Sequence, residues 1–434
     1  MKKYYKTILV FLAVFVLLIS GCKDRKNVNE SSSSTNGTTK TGEVAPSFNT
    51  EPSPEPSSEN GAENQDSEEN NHIEEKKPER ISIMAVGDIM CHESNLIGAF
   101  DEKEGIYDFK GFFEYVKPYI SEVDFAIANL ETTIGGEQAV FTGYPEFNTP
   151  DSMLEALKDA GVDILLTANN HSLDRGKNGL VRTIEKIREY EMLHTGTWTE
   201  KGQRFTTTDV KGFKISTLVY TYGLNGNDWK LTKEELSYMV NLIDEAKIKE
   251  DILKSKEIGS DITIVCMHWG IEYQREPSKE QVELAKKIFE WGADVVIGFH
   301  PHVIQRSEIV DVNGEDRYLI YSMGNFISNF RREDQGERVN KVFTEDGVMV
   351  RLEFEKRPPE DGGGVVLKKV EHIPTWVDKF YVEEDLQYRI IPIPDDILDE
   401  DFINDRNREK VLGSYKNTMD VVQDYLFEEK ANEN

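Results

Sequence analysis

VDILLTANNH, residues 162–171, runs from branched apolar side chains straight into two asparagines and a histidine. An apolar run of this length and composition suits a β-strand covered on both faces. The same transition recurs along the chain. ISIMAVGD (81–88) ends on Asp88, with His92 four residues on. DFAIANLE (124–131) ends on Asn129 and Glu131, DITIVCMHWG (261–270) carries His268, and ADVVIGFHPH (293–302) carries His300 and His302. In open α/β sheets, ligands bind beyond the carboxyl ends of the strands. Carboxylates, asparagines and imidazoles gathered at one such edge form a cage of oxygen and nitrogen donors suited to Mn, Fe or Zn. The chain reads as a binuclear metal enzyme, or something built from one.

Between these runs lie amphipathic patterns that predict helices over Lys110 to Ile120, Ser152 to Ala160, Lys177 to Glu189, Lys233 to Lys254 and Ser278 to Trp291. Strand signals fall at 81–87, 124–128, 163–167, 213–220, 261–267, 294–298 and 317–323. This alternation argues for an α/β fold with helices packed on sheets, and no repeat of 20–50 residues interrupts it. The charged stretch 327–345 reads as an exposed loop, and EKRPPEDGGG (355–364) as a turn joining strands at 347–355 and 364–371. From about residue 380 the chain turns acidic, which predicts a domain over 80–380 and a helical extension over 381–434.

The N-terminus reads as a processing signal. Lys2, Lys3 and Lys6 precede an apolar core from Ile8 to Ile19, too short to span comfortably as a permanent helix. Ile19-Ser20-Gly21-Cys22 resembles a bacterial lipobox, so residues 1–22 are expected to direct export and Cys22 to carry the lipid. That places the protein at the outer face of the cytoplasmic membrane, anchored through Cys22. Residues 23–79 hold few groups able to offset the entropy of ordering, and predict a disordered tether of roughly 40 Å span.

The net charge of −29 argues against nucleic acid as a partner, and an anionic polymer would need a local basic patch. Beyond Cys22 only Cys91 and Cys266 remain, which is no disulfide framework; both read as small buried apolar residues.

Six motifs, GDIM (87–90), NLE (129–131), ANNH (168–171), HWG (268–270), GFHPH (298–302) and SMGNF (322–326), resemble in order those of the CapA family of poly-γ-glutamate capsule synthesis proteins. That family in turn resembles the calcineurin-like metallophosphatases. The resemblance implies a metallophosphatase-like four-layer α-β-β-α sandwich, here with a C-terminal extension, and two divalent ions at the sheet edge. It also implies an anionic polymer such as poly-γ-glutamate and membrane synthase subunits as partners. Carried over residue by residue, Asp88 matches the first-metal aspartate and Glu131 stands where that pattern has a bridging carboxylate. Asn170 and His268 match second-metal ligands, and His300 and His302 the closing pair, one on each metal. His171 matches the histidine that assists the leaving group. Three departures stand out. Met90 occupies the place of a histidine, with His92 two residues on as its possible substitute. Glu131 replaces an aspartate, and one proline separates His300 from His302, which then face opposite ways unless the backbone turns.

Two ions about 3.5–4 Å apart acidify water and clamp an oxyanion, and a shared carboxylate offsets their repulsion. The same hardware serves amide and phosphoester hydrolysis. Taken singly, Asp88 or Glu131 could cap a helix, Asn169, Asn170 and Asn325 could shape turns, and His268 could be a bonded core histidine; their joint occurrence argues for a site. Asp174 and Arg175 follow His171 closely, and Arg275, in the loop of Trp269, Glu272 and Tyr273, is a candidate carboxylate clamp. Three functions stay open: hydrolysis, transfer or export handling of a γ-glutamyl polymer; a metal-dependent phosphatase or phosphodiesterase; and a non-catalytic polymer-binding subunit.

Overall fold

The computed structural model describes residues 79–333, 341–394, 397 and 402–427. The signal segment with Cys22 and, but for Glu79, the tether expected over 23–79 lie outside them. Among the described residues no helix is long and apolar enough to cross a membrane.

Four parallel strands open the fold: β1 (Arg80–Ile89), β2 (Phe125–Leu130), β3 (Ile164–Leu166) and β4 (Leu193–Thr195). The chain then builds a second sheet from β5 (Thr206–Val210), β6 (Phe213–Thr221), β7 (Ile262–His268), β8 (Val295–Phe299), β9 (Ile304–Val312) and β10 (Glu315–Met323). Its order is β9-β10-β8-β7-β6-β5. The next strand, β11 (Asn325–Ile327), returns to the first sheet and pairs parallel with β1, Asp88 opposite Asn325. Finally β12 (Asp346–Lys356), β13 (Val365–Val382) and β14 (Asp385–Pro392) extend that sheet antiparallel on the far side of β1, in the order β14-β13-β12-β1-β2-β3-β4.

Period-two alternation sorts these strands into layers. Ile81, Ile83, Phe125, Ile127, Ile164 and Val350 of the first sheet meet Ile215, Ile264, Cys266, Val295, Ile297 and Ile320 of the second in one buried cluster. The alternate residues Met84, Val86, Ala126, Ala128 and Leu165 pack outward on Phe112, Phe113, Leu154 and Leu157. On the other side Leu218, Val265, Met267 and Val296 pack on Ile248, Ile252, Ala285 and Ile288. Those partners come from α1 (Lys110–Phe113) and α2 (Ser152–Ala160) on one flank, and from α3 (Glu245–Glu257) and α4 (Lys279–Glu290) on the other. The result is the α-β-β-α sandwich, with Cys91 and Cys266 both buried and free.

Four expectations need correction. The helix expected over Lys233 to Lys254 is two, Lys233–Met239 and α3. Between them Asn241 donates to the Arg204 and Val219 carbonyls at 2.7 and 3.1 Å, and Val240 and Leu242 bridge to Thr197 and Thr221; these tertiary bonds override the helical pattern. Likewise Lys110 to Ile120 breaks into α1 and Lys117–Glu122, where Pro118 cannot donate the bond a continuous helix needs. The helical extension over 381–434 is in part a strand: β14 pairs with β13 along its whole length, and a helix, Arg408–Met419, follows only later. The stretch 327–345 is no plain exposed loop either, since Ser328, Arg331, Thr344 and Glu345 are buried.

Candidate metal centre

Alternation alone brings some of the site into place. Phe125 and Ile127 face the inter-sheet core, so Asn129 and Glu131 continue on that face; Ile264 and Cys266 do the same for His268. Asp88 does not follow the rule, because Met84 and Val86 on the same parity face the helices. Register shifts between Val86 and Asp88 against β2, and between Asp88 and Ile89 against β11, re-aim it. Gly87 permits the bend: a β-carbon there would lie 2.2 Å from the Gly324 carbonyl oxygen, to which Asp88 N–H donates within hydrogen-bond range. His300 and His302 are turned by their backbones. Both lie in the left-handed region, φ 96° and 56°, so the GFHPH segment folds back and brings the two rings to 5.8 Å between centroids. Left-handed histidines cost about 1–3 kcal/mol each and persist where surrounding structure holds them.

These side chains form two ligand sets that share one residue. Glu131, His268 and His300 make one, and Asp88, Glu131 and His302 the other, with the donor atoms of each set within 4.8 Å of one another. His268 Nε2 lies 3.5 Å from Glu131 Oε1, and His302 Nε2 3.8 Å from the same oxygen. Asn129 Nδ2 donates to Asp88 Oδ1 at 2.8 Å, and Asp88 Oδ2 accepts from His300 N–H at 3.2 Å. Asn170 Oδ1 lies 2.8 Å from His268 Nε2.

The donors fit divalent cations. Glu131 is fully buried, yet neither of its carboxylate oxygens has a hydrogen-bond partner; His300 Nδ1 is also unpartnered. Burying an unpaired carboxylate costs several kcal/mol, which a bound cation offsets. Burial, and then the neighbouring Asp88, hold the Glu131 pKa well above the usual carboxylate range. Burial also holds His268 and His300 well below the ordinary imidazole range, with the nearby histidines adding to the effect. Neutral imidazoles are the form that ligates metal.

His171 stands beside this cage. Its Nδ1 donates to Asp174 Oδ2 at 2.7 Å, and the same oxygen accepts from Phe147 N–H at 2.7 Å. The Phe147 ring lies edge-on to His171, centroids 4.6 Å apart. With Nδ1 engaged, Nε2 is the nitrogen left for substrate. A cavity of about 600 Å³ opens onto His171 and His302, walled by Phe147, Phe330, Tyr273 and Lys341 among others.

The remaining expected residues take supporting roles. Asn325 Oδ1 accepts from His302 Nδ1 at 3.0 Å, which turns Nε2 toward Glu131. Asn169 shapes the turn, donating to Leu130 O and accepting from His171 N–H. His92 lines the cavity between Phe147 and Phe330 but belongs to neither ligand set. Its Nδ1 accepts from Asn329 N–H at 3.2 Å, and burial with nearby cationic groups pushes its pKa down to about 3. Arg275 does not line the cavity; its guanidinium donates to Asn417 O at 2.5 Å and stacks 4.1 Å from the Phe343 ring. Phe147, Phe330 and Lys341 carry no signal in the sequence, because irregular segments bring them to the cavity.

A family model described as bacterial capsule synthesis protein PGA_cap matches residues 82–330. The chain is similar to the capsule biosynthesis protein CapA of Bacillus anthracis, 27% identical over 270 residues, 59% of this chain and 61% of that protein. The chain thus spans about three fifths of that relative's length. It is similar also to the PGA biosynthesis protein CapA of Bacillus subtilis (strain 168), 28% identical over 284 residues, 64% of this chain and 68% of that one. Among solved structures, the calcineurin-like phosphoesterase YfkN from Bacillus subtilis aligns with a TM-score of 0.42 at 16% identity, covering 79% of this chain and 97% of that one.

Proposed function

The chain belongs to the bacterial capsule synthesis protein family, PGA_cap, and on that footing we propose that it is a metal-dependent enzyme cleaving or transferring γ-glutamyl amide bonds of an anionic envelope polymer. In this reading it works at the outer face of the cytoplasmic membrane, held by acyl chains on Cys22 and beside membrane synthase subunits. The observation that carries the catalytic part is Glu131, buried, unpartnered and common to both ligand sets.

Asp88, Glu131, His268, His300 and His302 would hold two divalent ions, with Asn170 beside His268. Such a pair supplies Lewis-acid polarisation of the scissile carbonyl and acidifies water. The chain's own residues do the rest. In hydrolysis, water oxygen adds to the carbonyl carbon and releases a proton, the carbon–nitrogen bond breaks, and His171 delivers a proton to the departing nitrogen, the proton from water replacing the one it gives. Asp174, bonded at Nδ1, stabilises the charged ring and keeps Nε2 facing the substrate. Phe147 and Phe330 narrow the cavity and reduce the water around the reacting bond.

The test pairs elemental analysis of the wild type and Glu131→Gln with assays on γ-linked glutamate oligomers and on p-nitrophenyl phosphate. About two equivalents of Mn, Fe or Zn, lost in the variant, with cleavage of the oligomers, is the expected result. Metal-free wild-type protein after reconstitution sinks the proposal, and turnover of the phosphate ester alone replaces it with phosphoester hydrolysis. Palmitate labelling that disappears in Cys22→Ser tests the anchor.

A further inference from the structure

We propose that Lys341 is the specificity residue of this site, holding a carboxylate of the substrate a short aliphatic spacer away from the bond presented to His171. The inference rests on the amide-cleaving reading above and names the group that would select its substrate.

A chain with net charge −29 repels a polyanion at long range, so capture of one needs a cation placed locally. Other cations near the cavity are engaged. Lys230 pairs with Glu146 at 2.8 Å and donates to Asp174 O at 3.0 Å. Arg175 donates to Thr142 Oγ1 and Glu146 O, and Arg331 to the Val377 and Ser328 carbonyls. Lys341 lines the cavity, and among the described residues it makes no ion pair. Its ammonium lies 5.2 Å from the centre of the Tyr273 ring and 5.9 Å from that of Phe330. Those two rings also flank His302, at 6.3 and 5.5 Å between centroids. The cation therefore sits on an aromatic shelf continuous with a proposed metal ligand.

Its position is fixed from behind. The Lys341 carbonyl accepts from Thr344 N–H at 3.1 Å and from Thr344 Oγ1 at 2.7 Å. Thr344 O accepts from Asn325 Nδ2 at 2.9 Å, and Asn325 holds His302. Tyr273 is tied to the same turn, its N–H donating to Pro301 O at 2.7 Å. A short run of hydrogen bonds thus ties the backbone that carries the cation to the cage.

The matching ligand has an anionic group separated from an amide carbonyl by a few carbons. In a γ-linked glutamate chain every unit has a free α-carboxylate, separated from its γ-carbonyl by the α-carbon and two methylenes. The methylenes suit the Phe147 and Phe330 walls, and the carboxylate suits a compact ammonium on a flexible stem. A neutral α-carboxamide analogue offers the same amide bonds without the charge.

Isothermal titration of the metal-loaded full-length chain with γ-linked tetraglutamate and with its α-carboxamide analogue tests this. Wild type should prefer the acid, and Lys341→Ala should reduce that preference about 10- to 100-fold. Lys341→Arg should retain part of it, and Lys341→Glu should reverse it, with metal content and melting temperature showing that each variant is folded. Equal loss for both oligomers, no loss, or no binding by wild type overturns the assignment. Preference without cleavage keeps Lys341 and removes the enzyme reading; cleavage with the preference intact in Lys341→Ala does the opposite.

Discussion

His302 and Asn325 bond to each other twice: the imidazole Nδ1–H donates to Asn325 Oδ1 at 3.0 Å, and Asn325 Nδ2 donates back to the His302 carbonyl at 3.3 Å. The first bond fixes the tautomer and the second the backbone of a left-handed residue. Side chains that orient a metal-binding histidine in this way are worth about 10- to 100-fold in metal affinity.

Asn325→Ala should therefore weaken the Asp88–Glu131–His302 position about 10- to 100-fold and spare the Glu131–His268–His300 position. Stepwise metal titration followed by calorimetry reads the two separately. Equal weakening of both would mean that Asn325 supports the fold rather than one position.

Asp174→Asn keeps an acceptor for Phe147 N–H but removes the negative charge at His171 Nδ1. The expected outcome is a fall in kcat of about 10²–10⁴-fold with KM and bound metal retained. Pre-steady-state rates on a γ-glutamyl oligomer check it. A variant that loses metal in parallel would assign Asp174 to the cage instead.

Far from the cage, Asp424 accepts from the backbone N–H of His372 at 2.6 Å and from its Nδ1 at 3.0 Å, while His372 Nε2 meets the Tyr318 hydroxyl at 2.8 Å. Burial alone would raise the Asp424 pKa; the bonds from His372 and the charges of His372 and Lys369 outweigh it and hold the pKa below the usual aspartate range. A folded pKa below the unfolded one gives stability that is present above the unfolded value and lost as pH falls through the folded value. Asp424→Asn should lower the melting temperature at pH 7, and the gap should close below about pH 4. Melting curves of both proteins from pH 7 to pH 3 decide the point; a gap constant across that range would rule out the carboxylate as its origin.

Much of this architecture is legible because buried parallel strands leave a strong mark. Ile164–Leu166 and Ile262–His268 are buried on both faces and mostly apolar, so their polar carboxyl ends stand out against them. Other parts need information that a run of residues does not carry. Asp88 reaches the cage through a bulge, and His300 and His302 through left-handed backbone, so alternation misplaces all three. The strand at Asp385–Pro392 does alternate, with Leu386, Tyr388 and Ile390 buried and Gln387 and Arg389 half-buried between them. The acidic residues around it hide that period. Phe147 and Lys341 are set by long-range contacts, to Asp174 and Thr133 and through Thr344 to Asn325, and no local pattern announces such bonds.

The bond from His300 N–H to Asp88 Oδ2 joins residues 212 positions apart. At ribosomal rates of about 5–20 residues per second, Asp88 waits roughly 10–40 s for its partner to be synthesised. A nascent chain therefore carries Asp88 and Glu131 without His300 and His302 for more than a third of its elongation, and a product truncated ahead of β8 never acquires those two imidazoles. The cage is completed only after β1 to β8 have been made.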